Sequence, residues 1–249
     1  MLDFLGIGAQ KAGTTWLYSQ LAKHPRIRFP KGKEVHYWDW VQAGRRPDDI
    51  SWYRQVFADP GGFIQGDITP DYAILEERYI RQIHALNPDL RIFFILRNPI
   101  ERAWSAAQMG LAKLQMTREE ASDPWFFDVF RSQASLARGD YEATLRRWGG
   151  LFGSEQLLLL YYQDLQENPR KLLVDAALHL GVDASFFDTV PEGELRRRVH
   201  PGMGFHLQAR PPLTESLAAE LRRLYSDKIT SLSRYLKKDL SGWLNVPIG

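Results

Sequence analysis

Cysteine is absent from the 249 residues of the chain. That excludes a disulfide framework, thiolate catalysis and any zinc site with cysteine ligands, and it fits a reducing compartment. An excess of one charge is missing too: 32 Lys and Arg against 30 Asp and Glu leave a formal +2. A protein that coats nucleic acid carries a large positive excess, so no nucleic-acid partner is expected, although a local basic cleft is compatible with the balance. Long apolar runs are lacking as well. The longest, such as LLLLYY at 157–162, fall far short of the about 20 residues that span a membrane as a helix. The opening MLDFLGIG carries Asp3 and no basic stretch, unlike a secretory leader. The expectation is a cytoplasmic protein without a membrane span.

Core material, by contrast, is plentiful: 44% of residues are hydrophobic, with 8 Trp, 10 Tyr and 13 Phe. Such a chain buries a large core and is not disordered. No repeat or low-complexity linker interrupts it, so 1–249 is treated as a single domain. LDFLGIG (2–8) reads as a strand, followed by a glycine loop and a helix over TTWLYSQLAKHP (14–25). GFIQGDI (62–68) is a second strand, and DYAILEERYIRQIHAL (71–86) has helical spacing. RIFFIL (91–96), short and continuously apolar, suits a central strand buried on both faces. It leads into a helix over 97–114, where Asn98 can cap and Pro99 opens the first turn. Helical stretches at 124–137 and 141–152 precede another buried strand, QLLLLYY (156–162), and Pro169 opens a helix to Leu180. A last helix starts at Thr214. Strands alternating with helices predict an α/β fold, three-layered, with a central mostly parallel sheet and a P-loop-like phosphate-binding loop. Ligands belong at the carboxyl ends of its strands. RRRVHPGMGFHLQARPP (196–212), basic and aperiodic, reads as a functional or mobile loop.

The strongest local signal is GIGAQKAGTTWL (6–17). A glycine loop between strand and helix aims backbone N–H groups and the helix dipole at an anion. In a nucleoside-triphosphate loop the lysine follows the second glycine; here Lys11 stands two residues before Gly13. A kinase of that class would also end a later strand in a magnesium-holding Asp, whereas RIFFIL ends in Arg97, with Arg102 and Ser105 on the next helix. A cation and a hydroxyl there suit a phosphate monoester held directly by protein. Taken singly, each of these features also fits a surface lysine or an ordinary ion pair.

Together, QKAGTTWL (10–17) and RNPIERAWS (97–105) resemble the two nucleotide-binding elements of the sulfotransferases that use 3′-phosphoadenosine 5′-phosphosulfate (PAPS). The resemblance implies that Gln10, Lys11, Ala12, Gly13, Thr14 and Thr15 surround the 5′-phosphosulfate, with Lys11 on the bridging oxygen or sulfuryl group. It places Arg97 and Ser105 on the 3′-phosphate, with the bisphosphate PAP as product and no metal required.

KEVHYWDW (33–40) is dense in acid, imidazole and aromatic groups for a loop. Sulfuryl transfer to a hydroxyl or amine needs a proton acceptor, and Glu34, His36 and Asp39 all qualify by type. The stretch is most similar to the glycan-modifying, heparan-sulfate branch of the family, which makes Glu34 the first choice of base and His36 the second. GDITPDY (66–72) and GDYEATLRRW (139–148) resemble acceptor-side segments of the same branch, adding Asp71 and Tyr141, beside His36 and Asp39, as acceptor contacts. Where the family often has a basic residue stands Ile68, which weighs against a highly sulfated or carboxylated acceptor. In the C-terminal loop, Phe205 and Arg210 resemble residues that close over PAPS. The family's K-G-R triplet is here Q-A-R (208–210), and its disulfide is missing, as in a bacterial-like version.

The expected activity is transfer of a sulfuryl group from PAPS to an acceptor hydroxyl, on a glycan or other small-molecule alcohol, ahead of an amine. A P-loop kinase using ATP and magnesium is the alternative enzyme, and a nucleotide- or glycan-binding module without turnover is the alternative outside catalysis. Oligomeric state leaves no signature in the sequence.

Overall fold

Apolar β-formers in unbroken runs make strands that must be covered on both faces, and that is how RIFFIL is used. In the computed structural model, which describes residues 1–59, 61–197 and 213–248, it forms β4 (Arg91–Leu96), with Ile92, Phe93, Phe94 and Ile95 fully buried. Phe205 and Arg210 lie outside the described residues. β4 belongs to a five-stranded sheet with β1 (Leu2–Gly8), β2 (Ile27–Arg28), β3 (Ile64–Ile68) and β5 (Leu157–Tyr161), in the order β2-β3-β1-β4-β5. Every pairing is parallel.

The described chain packs as two compact units. The first comprises Met1–Leu96 and Leu145–Pro201 and contains the whole sheet. Because β1 and β3 are parallel neighbours, with Gly6 opposite Ile68, their carboxyl ends open on the same edge. The loop after β1 and the Thr69–Ile74 segment after β3 therefore emerge side by side. At the other end of the pair, Gly66 opposes Phe4, and the aromatic ring occupies the place of a side chain: a Cβ at 66 would lie 2.1 Å from Phe4 Cζ.

Four readings of the sequence are corrected here. QLLLLYY yields β5 at the edge of the sheet, where Leu160 is buried but its neighbours are half-buried, because an edge strand has one partner only. The first helix stops at Leu21 rather than running to Pro25; the His24 ring accepts from Arg26 N (3.1 Å) and bonds Asp183 O (3.0 Å), pinning a turn. The 71–86 segment divides into a 3-10 turn, Pro70–Ile74, and a helix, Glu77–Leu86. Gln42 brackets that break, accepting from Glu76 N (2.7 Å) and donating to Ile74 O (3.4 Å). Finally, the 33–40 stretch is not loop throughout, since a short helix begins at Trp38.

The second unit comprises Arg97–Thr144 and Gly202–Gly249. Asn98 caps the Pro99–Lys113 helix by accepting from Ile100 N (3.0 Å), and its amide donates to Trp243 O (2.7 Å). The 124–137 stretch breaks at Ser132, whose extended backbone ends the Asp123–Arg131 helix and whose hydroxyl caps Gln133–Arg138. Glu215–Leu236, capped by Thr214, packs on Pro99–Lys113 and Asp123–Arg131.

Gly66→Ala forces a methyl into the Phe4 ring, an overpacking expected to cost about 1–3 kcal/mol. Urea unfolding of the variant should show a lower midpoint with an unchanged slope.

Candidate active site

β1 ends at Gly8 and hands the chain to a loop that Ala9 anchors, its N–H donating to Ile95 O of β4 (3.1 Å). Lys11 takes a left-handed backbone (φ 66°), as does Gly13 (φ 90°), which opens the Thr14–Leu21 helix. Glycine suits position 13 by that angle, and a Cβ there would also have to push aside the end of the Leu165 side chain, 2.4 Å away at Cδ1. Among the described residues the glycine at the N-cap of this helix gives no side-chain cap, and its first turn holds no acidic residue. Its leading N–H groups and positive dipole end are thus left to an anion, with Lys11 beside them. Ala12 and Thr14 are buried; Gln10, Lys11, Gly13 and Thr15 are half-buried.

Beyond β2 the chain reaches the acid- and imidazole-rich stretch. Glu34 (φ 67°) and His36 (φ 53°) both lie in the left-handed region that non-glycine residues avoid. The strain is held by the sheet: Val35 N between them donates to Asp67 Oδ1 on β3 (3.2 Å), and Tyr37 N donates to the Tyr72 hydroxyl (3.1 Å). Thr69 donates to the same Asp67 oxygen (2.7 Å). The outcome is a hydrogen-bonded row. Asp39 Oδ2 meets His36 Nδ1 at 2.8 Å, His36 Nε2 meets Glu34 Oε2 at 3.2 Å, and Lys33 pairs with Glu34 Oε1. Asp71 joins it, since His36, Asp39 and Asp71 each present a ligating atom within 4.8 Å of the others. Such a trio is dense enough to take a divalent cation, though His36 already spends Nδ1 on Asp39.

Burial and charge tune this row. The hydrogen bond that His36 donates to Asp39 holds its imidazole above its usual value, burial opposing. Burial brings the Lys33 amine down to about 8, against the pull of Asp67 and Asp71 and with the push of Lys11. Asp67, fully buried, is pushed up to about 6 despite its hydrogen bonds from Thr69 and Val35. Sequence reasoning singled out neither Lys33 nor Asp67. Lys33 adjoins Glu34 and could have been flagged on that ground, whereas nothing local announces that Asp67 faces Val35.

In the second unit, Arg97 is buried and its Nη2 meets Glu101 Oε2 at 3.2 Å, one helical turn away. Ser105 is buried on the same Pro99–Lys113 helix. Arg102, fully buried, donates through Nη2 to Ser135 O (3.1 Å) and the Tyr225 hydroxyl (3.2 Å). Among the described residues its Nε and Nη1 have no hydrogen-bond partner. Tyr141 is buried, and that burial raises its phenol well above the usual value, Arg102 and Arg97 pulling the other way.

A family model described as the sulfotransferase domain matches residues 2–202. The chain belongs to that family. It is 34% identical to human heparan sulfate glucosamine 3-O-sulfotransferase 6 over 168 residues, covering 66% of this chain and 47% of that protein. With mouse bifunctional heparan sulfate N-deacetylase/N-sulfotransferase 4 it shares 26% over 283 residues, 97% of this chain and 31% of the relative. The chain thus spans between about a third and a half of these curated relatives. A solved sulfotransferase from Alicyclobacillus acidocaldarius has the same fold, with a TM-score of 0.70 at 23% identity over 98% of both chains. A mouse sulfotransferase solved in complex with PAP aligns with a TM-score of 0.57 at 15% identity, over 95% of this chain and 87% of that one. The sulfotransferase fold expected from the sequence is therefore the one observed, its sheet parallel at every pairing.

Asp39→Asn removes both the hydrogen-bonding carboxylate and its charge, so the His36 midpoint should fall; NMR titration of the imidazole reads it directly. The sign for stability follows: the His36–Asp39 contribution is fully present below the unfolded histidine value and is lost as pH rises through the raised folded one. The variant should lose that pH dependence.

Proposed function

We propose that the chain transfers the sulfuryl group of PAPS to a hydroxyl of a glycan or other small-molecule alcohol, releasing PAP. The observation that carries this reading is a pairing at one sheet edge. An uncapped phosphate-type loop bearing Lys11 follows β1, and the Glu34–His36–Asp39 row is tied to the end of the adjacent strand β3. Of the relatives' names, that of the 3-O-sulfotransferase specifies transfer to a glycan oxygen and supports this reading, whereas that of the N-sulfotransferase specifies transfer to nitrogen.

The acceptor oxygen forms its bond to sulfur as the bond from sulfur to the 5′-phosphate oxygen breaks. Lys11 and the N–H groups around Gly13–Thr15 meet the charge that grows on the departing oxygen; Gln10 and Ala12 shape the loop. Glu34 takes the acceptor proton. Its two oxygens already accept from Lys33 and His36, which hold the carboxylate in place and weaken it as a base. Proton transfer is therefore late, once the new oxygen–sulfur bond has made the hydroxyl acidic. Arg97 and Ser105 hold the 3′-phosphate, and the Arg97 guanidinium exchanges or shares its Glu101 partner to do so.

Glu34→Gln keeps the shape but turns one of the two accepting oxygens into a donor and loses the base, so turnover of PAPS should fall by about 10²–10⁴-fold with PAP affinity unchanged. Lys11→Ala should lower both turnover and affinity. Near-normal turnover in Glu34→Gln would remove that residue as base and leave His36 in the role.

A further inference from the structure

Lys33 carries a charge that the row alone does not use up. Its side chain is only 14% exposed, and its Nζ pairs with Glu34 Oε1. An ammonium has three N–H donors, and among the described residues Glu34 is the one hydrogen-bond partner of this one. The field around it is mixed: burial brings the amine down, Asp67 and Asp71 pull it back up, and Lys11 of the phosphate loop pushes with burial. A mostly buried ammonium with one acceptor for three donors is under-satisfied, and a second anion beside it would complete it.

The reaction brings such an anion to this place. For Glu34 to take the acceptor proton, the acceptor oxygen must come within about 2.6–3.2 Å of its carboxylate. Before it reacts, that same oxygen stands about 3–3.5 Å from sulfur. Only one atom then separates the base from the sulfuryl group, and an ammonium in contact with the base lies within a few ångströms of the sulfuryl oxygens. Carboxylate and sulfuryl group are both anionic, so their approach is opposed unless a cation serves both. Lys11 answers the bridging oxygen on the far side of sulfur; Lys33 is the cation held at the near side, on Glu34 itself.

Building on the sulfotransferase reading, we infer that Lys33 is a catalytic residue, its ammonium keeping Glu34 Oε1 and donating a second N–H to a sulfuryl oxygen of PAPS. It stays protonated throughout: the acceptor proton goes to Glu34, and the electron pair of the broken bond goes to the 5′-phosphate oxygen beside Lys11. PAPS and PAP differ by the sulfuryl group, so the two together isolate this contact. Each is titrated calorimetrically, without acceptor, into the full chain and into Lys33→Met, which keeps the length of the side chain and removes its charge. Lys33→Met should weaken PAPS about tenfold or more, the scale of one charge-assisted hydrogen bond, and PAP by less than about twofold. Should a thermal melt show that the apolar side chain unfolds the chain, Lys33→Gln takes its place. Removing Lys33 also bares the Glu34 charge to the sulfuryl group, so the substitution is repeated in Glu34→Gln, where the loss for PAPS should persist at about fivefold or more. A loss that vanishes in Glu34→Gln leaves Lys33 acting through Glu34 alone and overturns the inference. So does a loss shared equally by PAPS and PAP in a folded variant, or no loss at all. Failure of the wild-type chain to bind PAP overturns the sulfotransferase reading itself.

Discussion

A hydrogen bond between Val35 N and the buried carboxylate of Asp67 joins the 33–40 stretch to the sheet. On either side of it stand two residues in left-handed backbone, Glu34 and His36, conformations that cost of order 1–3 kcal/mol each and persist only where surrounding structure imposes them. The sheet supplies that imposition through Asp67 and, two residues on, through the Tyr72 hydroxyl. The carboxylate has its own cost. Held near 6 when folded against 3.8 ordinarily, it opposes folding by about 3 kcal/mol once ionised. The cost is absent below the unfolded value, grows as pH rises and is complete above about 6, so stability near neutrality is given up to fix the position of two side chains.

What those side chains gain is orientation without mobility. Asp39 fixes the imidazole, the imidazole fixes one oxygen of Glu34, and Lys33 fixes the other. As the proposed base, a carboxylate so hydrogen-bonded suits a reaction whose nucleophile turns acidic only as its bond to sulfur forms. The phosphate loop works on the opposite principle. There, among the described residues, the glycine N-cap supplies no side-chain partner to the helix N-terminus, which suits the anion proposed to bind it. The second unit shows a third arrangement, in which buried Arg97 is held by Glu101 and buried Arg102 is only partly satisfied among the described residues.

Much of this was legible in the residues, for identifiable reasons. β4 is continuously apolar after Arg91, and β1 is apolar apart from Asp3 and its glycines, the near-continuous pattern of parallel strands covered on both faces. β5 carries the same apolarity at an edge, so composition overstated its burial. β2 has two residues and no pattern to read. The breaks at Leu75 and Ser132 escaped because helical spacing continues through both, and what ends each helix is local backbone held in place by Gln42 in one case and a serine cap in the other. In the site, Lys11, Glu34, His36 and Asp39 stood out by type and spacing. The left-handed backbone of Glu34 and His36 did not, because neither residue advertises it as glycine does. Lys33 and Asp67 act through contacts that only folding creates.

The nucleotide decides the account. Calorimetric titration of the chain with adenosine 3′,5′-bisphosphate and with ATP, each in EDTA and in magnesium, tests it most directly. The account predicts binding of the bisphosphate that is indifferent to magnesium, stronger than that of ATP, and weakened about tenfold or more by Arg97→Ala, the loss of one charge-assisted phosphate contact. Preference for ATP with magnesium, or bisphosphate binding untouched by Arg97→Ala, would contradict it.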